Sequence, residues 1–256
     1  MEATHKVYDF IKSLERMDEI LDADNKQYEE KDSIPSRSEL TFTNGFYVNC
    51  TALFVDICDS SKMTDEHNRP VLAKIYRSFI SELVAFFNEY DICKEVNIYG
   101  DCVWAVFDTP YKRDIDTAFS AAYGANGLVN ILNYKLSKKD YLTYMVGIGM
   151  DYGRALMIKA GHKGSAINDV VWMGDVVNQA CHYAGYVGKP GTWGKNIFLS
   201  RSIYDNLNDE NKGLCNKNNQ YNFYQSNAVM LYMDRWLTEQ KEKDKKNQTN
   251  YGFGNW

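Results

Sequence analysis

Two aspartates stand at the ends of apolar runs in this chain: Asp56 in Phe54-Val55-Asp56-Ile57 and Asp101 in Ile98-Tyr99-Gly100-Asp101. Phe54 and Val55 lead into the first. The second lies in a short break between Val96–Tyr99 and Val103–Phe107. Runs of this composition read as buried strands. A carboxylate is costly to bury unless something pairs with it, and a divalent cation is a common partner. One aspartate so placed reads as a solvated turn residue. Two on neighbouring strand ends read as hard oxygen ligands for Mg²⁺ or Mn²⁺ carrying a triphosphate. Asp59 reads as an exposed turn residue rather than a third ligand.

The elements that would hold these groups follow from periodicity. Val7, Phe10, Ile11, Leu14, Met17, Ile20 and Leu21 recur at helical spacing, which predicts an amphipathic helix over 4–22. Its apolar side is expected to pack, with a dimer strut or sensor contact as other uses. Asp22–Glu39 is polar and reads as a connector. Gly45–Cys58 reads as the first strand, Ser60–Thr64 as a turn and Val71–Tyr90 as a helix. Val96–Tyr99 and Val103–Phe107 form a hairpin about Gly100-Asp101. Ile115–Leu136 is a second long helix. Tyr144–Met150 and Ala155–Ala160 read as a strand pair turned at Asp151-Tyr152-Gly153. Gly174 opens a third helix to about Tyr186, Asn196–Leu199 is a short strand, and Ser200 caps a helix. Tyr221–Tyr224 reads as an edge strand before a helix over Val229–Leu237. The fold class is α+β: a mixed, mostly antiparallel sheet with helices on one face. Residues 1–44 read as an amino-terminal helix and connector, 45–240 as a catalytic domain, and 241–256 as a charged, frayed tail.

Composition narrows the function classes. The chain has 256 residues, 45% of them hydrophobic, enough for one substantial core. A net charge of -5 gives no electrostatic case for a nucleic-acid partner. The six cysteines show no paired spacing and read as reduced residues. No signal-peptide pattern and no bilayer-length apolar run is seen, so a cytoplasmic protein without membrane insertion is expected.

In order along the chain stand Phe54-Val55-Asp56-Ile57, Gly100-Asp101 followed by Cys102–Phe107, Val146-Gly147-Ile148-Gly149 with Gly153, and Trp172-Met173-Gly174-Asp175-Val176-Val177-Asn178. This series, covering roughly 46–205, resembles the class III nucleotide cyclases, the adenylate and guanylate cyclase catalytic domain. The departure at Asp59-Ser60-Ser61 is similar to the pyrimidine cyclases of bacterial Pycsar antiphage systems. The resemblance implies a ferredoxin-like class III cyclase fold. It also implies in-line attack of a ribose 3′-oxygen on the α-phosphorus of a nucleoside triphosphate, with pyrophosphate leaving. Two Mg²⁺ or Mn²⁺ ions per site would be held by Asp56, Asp101 and the backbone carbonyl of Ile57. Backbone N–H groups over Cys58, Ser60 and Ser61 are placed to cradle phosphates. Asn178 would orient the ribose. Four residues on, the family's transition-state arginine is replaced by His182, whose imidazolium would serve instead. Arg154, Lys159, Lys163, Lys189 and Lys195 are alternative cations.

The resemblance also locates base recognition. Where purine cyclases carry a lysine or glutamate and an aspartate or cysteine, this chain has Asn97 and Val171. A site that reads a purine edge would lack its partners. The Asn97 amide, with donor and acceptor, serves uracil or cytosine alike, so CTP and UTP both stand as substrate. Tyr99 and Trp172 are alternative stacking residues. The family takes metal ligands from one catalytic domain and the Asn and cation from its partner, which implies a homodimer with composite sites. Its product, cyclic CMP or cyclic UMP, would be read by a separate effector, membrane-spanning or of TIR-domain type, in antiphage defence. A diguanylate cyclase is disfavoured because Tyr99-Gly100-Asp101 lacks the required Gly-Gly-Asp/Glu-Glu-Phe hairpin. A purine cyclase and a non-catalytic nucleotide-binding regulator of this fold remain as alternatives.

Overall fold

The amphipathic helix comes first in the chain, as α1 (Phe10–Leu21), and a polar strand follows, β1 (Tyr28–Lys31). The fold is organised on the next strand, β2 (Gly45–Ile57). Its residues alternate between two cores, as a pleated strand requires. Leu53, Val55 and Ile57 enter one core, and Phe46, Val48, Cys50, Ala52 and Phe54 enter the other. In this computed structural model, residues 5, 7–66, 69–163 and 168–251 are described.

Onward from β2 come α2 (Ser60–Glu66), α3 (Arg69–Phe87), β3 (Cys93–Tyr99), β4 (Cys102–Asp108), α4 (Lys112–Ser137) and β5 (Val146–Gly161). Then follow β6 (Asn168–Met173), α5 (Asp175–Ala184), β7 (Ile197–Leu199), α6 (Arg201–Asn206), α7 (Asp209–Gly213), β8 (Asn216–Asn218), β9 (Phe223–Ser226) and α8 (Leu231–Tyr251). The sheet runs β3-β4-β2-β5-β7-β9-β8, with β1 parallel beside β2 and β6 antiparallel beside β5. The class is α+β with a mostly antiparallel sheet. Helices α3 and α4 cover one face, burying Phe79, Phe87 and Phe119 there. Each such ring is worth about 1.5–3 kcal/mol relative to exposure.

The structure corrects several sequence expectations. Helices cover both faces, because α5 lies on the second core through Val176, Ala180 and Ala184. α1 starts at Phe10, where the Asp9 carboxylate accepts from Lys12 N–H at 3.1 Å and caps it; part of its expected start lies outside the described residues. Its apolar side is exposed rather than packed. The connector contains β1. The Ser60–Thr64 turn is the start of α2. The strand pair turned at Gly153 is one strand, since β5 pairs with β2 continuously from Val146 to Ile158 and that ladder overrides the local turn signal. The expected edge strand is β9, interior between β7 and β8. Beyond residue 240 α8 continues, and Asp244 accepts from Lys138 at 2.9 Å and from the Tyr134 hydroxyl at 2.8 Å.

Candidate active site

The β3–β4 hairpin sets the carboxylate pair. Asp56 lies opposite Cys102 in the β2–β4 ladder, which places Asp101, one residue earlier, next to it at the turn. Gly100, at φ 62°, takes the left-handed conformation the turn needs. Burial, and then the Asp101 charge, push the Asp56 carboxyl up to about 6. Burial and a neighbouring like charge each disfavour the ionised carboxylate and raise it in this way. Among the described residues no three His, Cys, Asp or Glu side chains gather into a ligand cluster. The hairpin brings two carboxylates, Asp56 and Asp101, together as hard donors. They fit a divalent cation, and because the Ile57 side chain is buried in the core, only that residue's backbone can face the pair.

The turn after β2 differs in part from expectation. Cys58 N–H donates to the Met145 carbonyl at 2.9 Å, so this amide is already used and is removed from the phosphate cradle. Asp59 turns the chain at φ 53°, and its exposed carboxylate pairs with Lys62. It is a turn residue, as expected. Ser60 and Ser61 open α2.

Helix α5 carries Asn178 and His182 four residues apart, both exposed on one side. Gly174 precedes it at φ 142°, a conformation side chains rarely adopt. His182 Nε2 lies 3.3 Å from the Tyr186 hydroxyl, with the rings edge to face at 5.2 Å. Lys189 Nζ sits 4.5 Å from the same tyrosine ring, so a second cation joins the histidine's neighbourhood. Arg154 is instead paired with Glu30 and stacked on Tyr47, and Lys163 is paired with Glu19. Lys159 lies over Phe42. Within the chain, α5 reaches toward the carboxylates through Cys181, whose thiol is pushed up by burial and by the Asp56 charge. Beside the start of α5, a cleft of about 640 Å³ is lined by Tyr47, Arg154, Asp175 and Ser202.

Asn97 is half-buried on β3, and its Nδ2 is buried without a hydrogen-bond partner, as is Trp172 Nε1. Both donors lie by the Glu95 carboxyl and favour its charge, without forming a well-aligned hydrogen bond. Burial outweighs them and raises Glu95 above its ordinary range. Val171, 38% exposed, neighbours Trp172 on β6 and so points to the opposite side. The structure thus joins Asn97 to Glu95 and Trp172. Glu95 was legible as the residue two before Asn97, on the same strand face. Tyr186, one turn after His182, was equally available.

The chain matches the Adenylate and Guanylate cyclase catalytic domain over residues 43–237. It is 40% identical to the uridylate cyclase of Gulbenkiania mobilis over 94% of this chain and 100% of that one. It is 35% identical to the uridylate cyclase of Treponema porcinum over 91% of this chain and 82% of that one. Among solved structures it resembles the guanylyl cyclase Cya2, with a TM-score of 0.59 at 16% identity over 73% of this chain and 95% of that one. It likewise resembles the adenylyl cyclase CyaB from P. aeruginosa, with a TM-score of 0.58 at 18% identity over 68% and 85%. These last likenesses concern the fold. By its landmarks, its sheet and its relatives, the chain belongs to the class III adenylate and guanylate cyclase catalytic domain family.

Proposed function

We propose that the chain is a pyrimidine nucleotide cyclase that converts UTP to 3′,5′-cyclic UMP and pyrophosphate. The kinship with two relatives named uridylate cyclase, along most of the chain, carries this reading and favours UTP over CTP. The 3′-oxygen forms a bond to the α-phosphorus, the bond to pyrophosphate breaks, and the 3′-hydroxyl proton passes to solvent water. Class III cyclase domains generally use divalent metals, which supply charge neutralisation on the phosphates and acidify the hydroxyl. In this reading Asp56, Asp101 and the Ile57 carbonyl would hold two Mg²⁺ or Mn²⁺ ions, a set supported by the raised Asp56 carboxyl. Ser60 and Ser61 bind phosphate oxygens at the opening of α2. Asn178 orients the ribose, and His182, with Lys189 nearby, places positive charge on the developing transition state. Asn97 reads the base edge.

Class III cyclases often act as dimers. Our reading is a homodimer in which Asp56 and Asp101 of one copy work with Asn178 and His182 of the other. Exposure of Asn178 and His182 on the outer side of α5 supports it. No described helix is long and apolar enough to cross a membrane. We place the enzyme in the cytoplasm, making a messenger read by a separate effector in antiphage defence, a role that rests on the pyrimidine-cyclase resemblance.

Purified protein incubated with Mn²⁺ and each nucleoside triphosphate separately, with products weighed by mass spectrometry, tests the activity. Cyclic UMP from UTP is expected, with little product from ATP or GTP. Preferential turnover of a purine would overturn the pyrimidine assignment. No product from any of the four would favour a nucleotide-binding regulator. Mixing Asp56→Ala with Asn178→Ala subunits tests the shared sites. Partial recovery of activity is expected, and none would remove the composite arrangement.

A further inference from the structure

Beside Asn97 lies a cavity of about 240 Å³ whose roof is chain outside the matched catalytic domain. Ile34, Pro35 and Arg37 of the connector cover it, and Glu95 of β3, Met157 of β5 and Trp172 of β6 line the other side. The roof is fastened at both ends. Ser33 Oγ donates to one oxygen of Asp108 and Ile34 N–H to the other, the latter at 3.0 Å, while Arg37 pairs with Asp169 on β6. What the roof covers is polar. Glu95 is 8% exposed and Trp172 6%, and among the described residues Trp172 Nε1 and Asn97 Nδ2 have no hydrogen-bond partner although both are buried. A buried donor left unmet is costly until an acceptor arrives. Asn97 stands two residues beyond Glu95, on the same face of β3.

The three groups make a pattern. An ionised carboxyl only accepts, whereas an indole N–H and an amide NH₂ donate. Both donors lie by the Glu95 carboxyl, and Arg37 joins them in favouring its charge, so one acceptor is the common neighbour of two donors. The hydrogen-bonding edge of uracil is the complement: a carbonyl, the N3–H and a second carbonyl. Cytosine presents an amino group, a bare N3 and one carbonyl. In the same register its amino group meets a donor and its N3 lone pair meets the carboxylate. We infer that Glu95 is the residue that selects uracil, its carboxylate accepting from the base N3–H while Asn97 Nδ2 and Trp172 Nε1 donate to the two carbonyls. The cavity is smaller than the roughly 300–1,000 Å³ of drug-sized sites, a scale that suits a single ring. The connector thus belongs to the substrate site, as a wall that the catalytic domain does not itself supply. This assignment deepens the UTP reading above and rests on it.

Steady-state kcat/KM for UTP and for CTP with Mn²⁺, on wild type and Glu95→Gln, tests the assignment. A glutamine can turn its N–H toward the cytosine N3. The wild-type preference for UTP, expected at about tenfold or more, should therefore fall to within about threefold. A residue with only a structural role would lower both substrates together and leave their ratio unmoved. Trp172→Phe keeps a ring and removes the N–H, so kcat/KM for UTP should fall by about threefold to tenfold. Titration calorimetry with 3′-deoxy-UTP and 3′-deoxy-CTP, which cannot cyclise, should repeat both changes in Kd. An unchanged ratio in Glu95→Gln, a wild type that binds the two nucleotides alike, or a Trp172→Phe variant that binds 3′-deoxy-UTP as wild type does would each overturn the assignment, even if cyclic UMP forms. Failure of the cyclase reading looks different. No cyclic pyrimidine would then appear, and the two binding comparisons alone would decide whether Glu95 reads uracil.

Discussion

Gly149 lies directly beneath the backbone of Ala180: a Cβ built on it would fall 2.0 Å from the Ala180 carbonyl oxygen. Gly147 is placed the same way under Ala184, at 1.7 Å. The helix that carries Asn178 and His182 therefore rests on bare strand backbone, and neither contact can yield by rotating a side chain. This gives the Gly147-Ile148-Gly149 landmark a physical cause. It sets the height of α5 above the sheet.

Gly149→Ala should lift α5 and misplace Asn178. Overpacking of this kind costs about 1–3 kcal/mol of stability. Turnover is expected to fall by about 100-fold, since small displacements of positioning groups are expensive. Urea unfolding and cyclic-nucleotide production on the same preparation separate the two effects. A variant that loses stability yet keeps its turnover would show that α5 does not position the chemistry.

The carboxylate pair predicts opposite effects on activity and stability. Asp101→Asn removes the like charge that helps raise Asp56, so in chelator at neutral pH the variant should melt no lower than wild type and by up to about 0.5 kcal/mol higher. With Mn²⁺ present its turnover should drop by at least about 100-fold. Thermal melts in chelator and activity assays with Mn²⁺ check both halves. A clear loss of stability in chelator would mean that Asp101 is a structural residue.

These two relationships were unequally legible in the sequence. The hairpin about Asp101 and the run into Asp56 were plain, because buried strands and a glycine turn leave strong local patterns. Tyr28-Glu29-Glu30-Lys31 left none. Its side chains are exposed or only half-buried, and it is a strand through its backbone pairing with β2 alone. The Asp151-Tyr152-Gly153 turn signal was real but weaker than a continuous ladder of thirteen residue pairs. Of the base-reading neighbourhood, Asn97 followed from spacing. Its approach to Trp172 depends on how β6 folds back along β5, a tertiary fact with no local trace. The periodicity of α1 showed an apolar face without showing which way it would turn.

Glu95 offers a test through pH. Its folded-state pKa is raised by burial, so the folded protein holds this proton more tightly than the unfolded chain does. The sign is that of a group whose contribution to stability falls as pH rises through its unfolded value near 4.5 toward the higher folded one. Glu95→Gln removes that penalty. The variant should be more stable than wild type at neutral pH, with the difference closing as pH falls toward 4.5. If Asn97 reads the base edge as proposed, loss of the neighbouring carboxylate charge should also narrow any preference for UTP over CTP. Chemical denaturation across pH and paired kcat/KM values for the two nucleotides provide the readouts. Parallel pH profiles for the two proteins would contradict the burial argument.

In the proposed reading, His182 on α5 stands in for the family's transition-state arginine. His182 is held by Tyr186 at 3.3 Å, and Lys189 lies on the other partner of that contact, the tyrosine ring. If the imidazolium stabilises charge only in the transition state, His182→Ala should lower kcat by about 10–100-fold with little change in KM. His182→Arg should restore much of that loss, because guanidinium keeps the charge and adds donors. Tyr186→Phe removes the hydroxyl that orients the ring and should cost less, about threefold to tenfold. Lys189→Ala, tested alongside, separates the two cations. If turnover survives His182→Ala but collapses in Lys189→Ala, the lysine is the transition-state cation and the histidine only supports Tyr186. Steady-state kinetics with UTP and Mn²⁺ on all four variants decides between them, since a purely structural histidine would move melting temperature and leave the kcat-to-KM split unchanged.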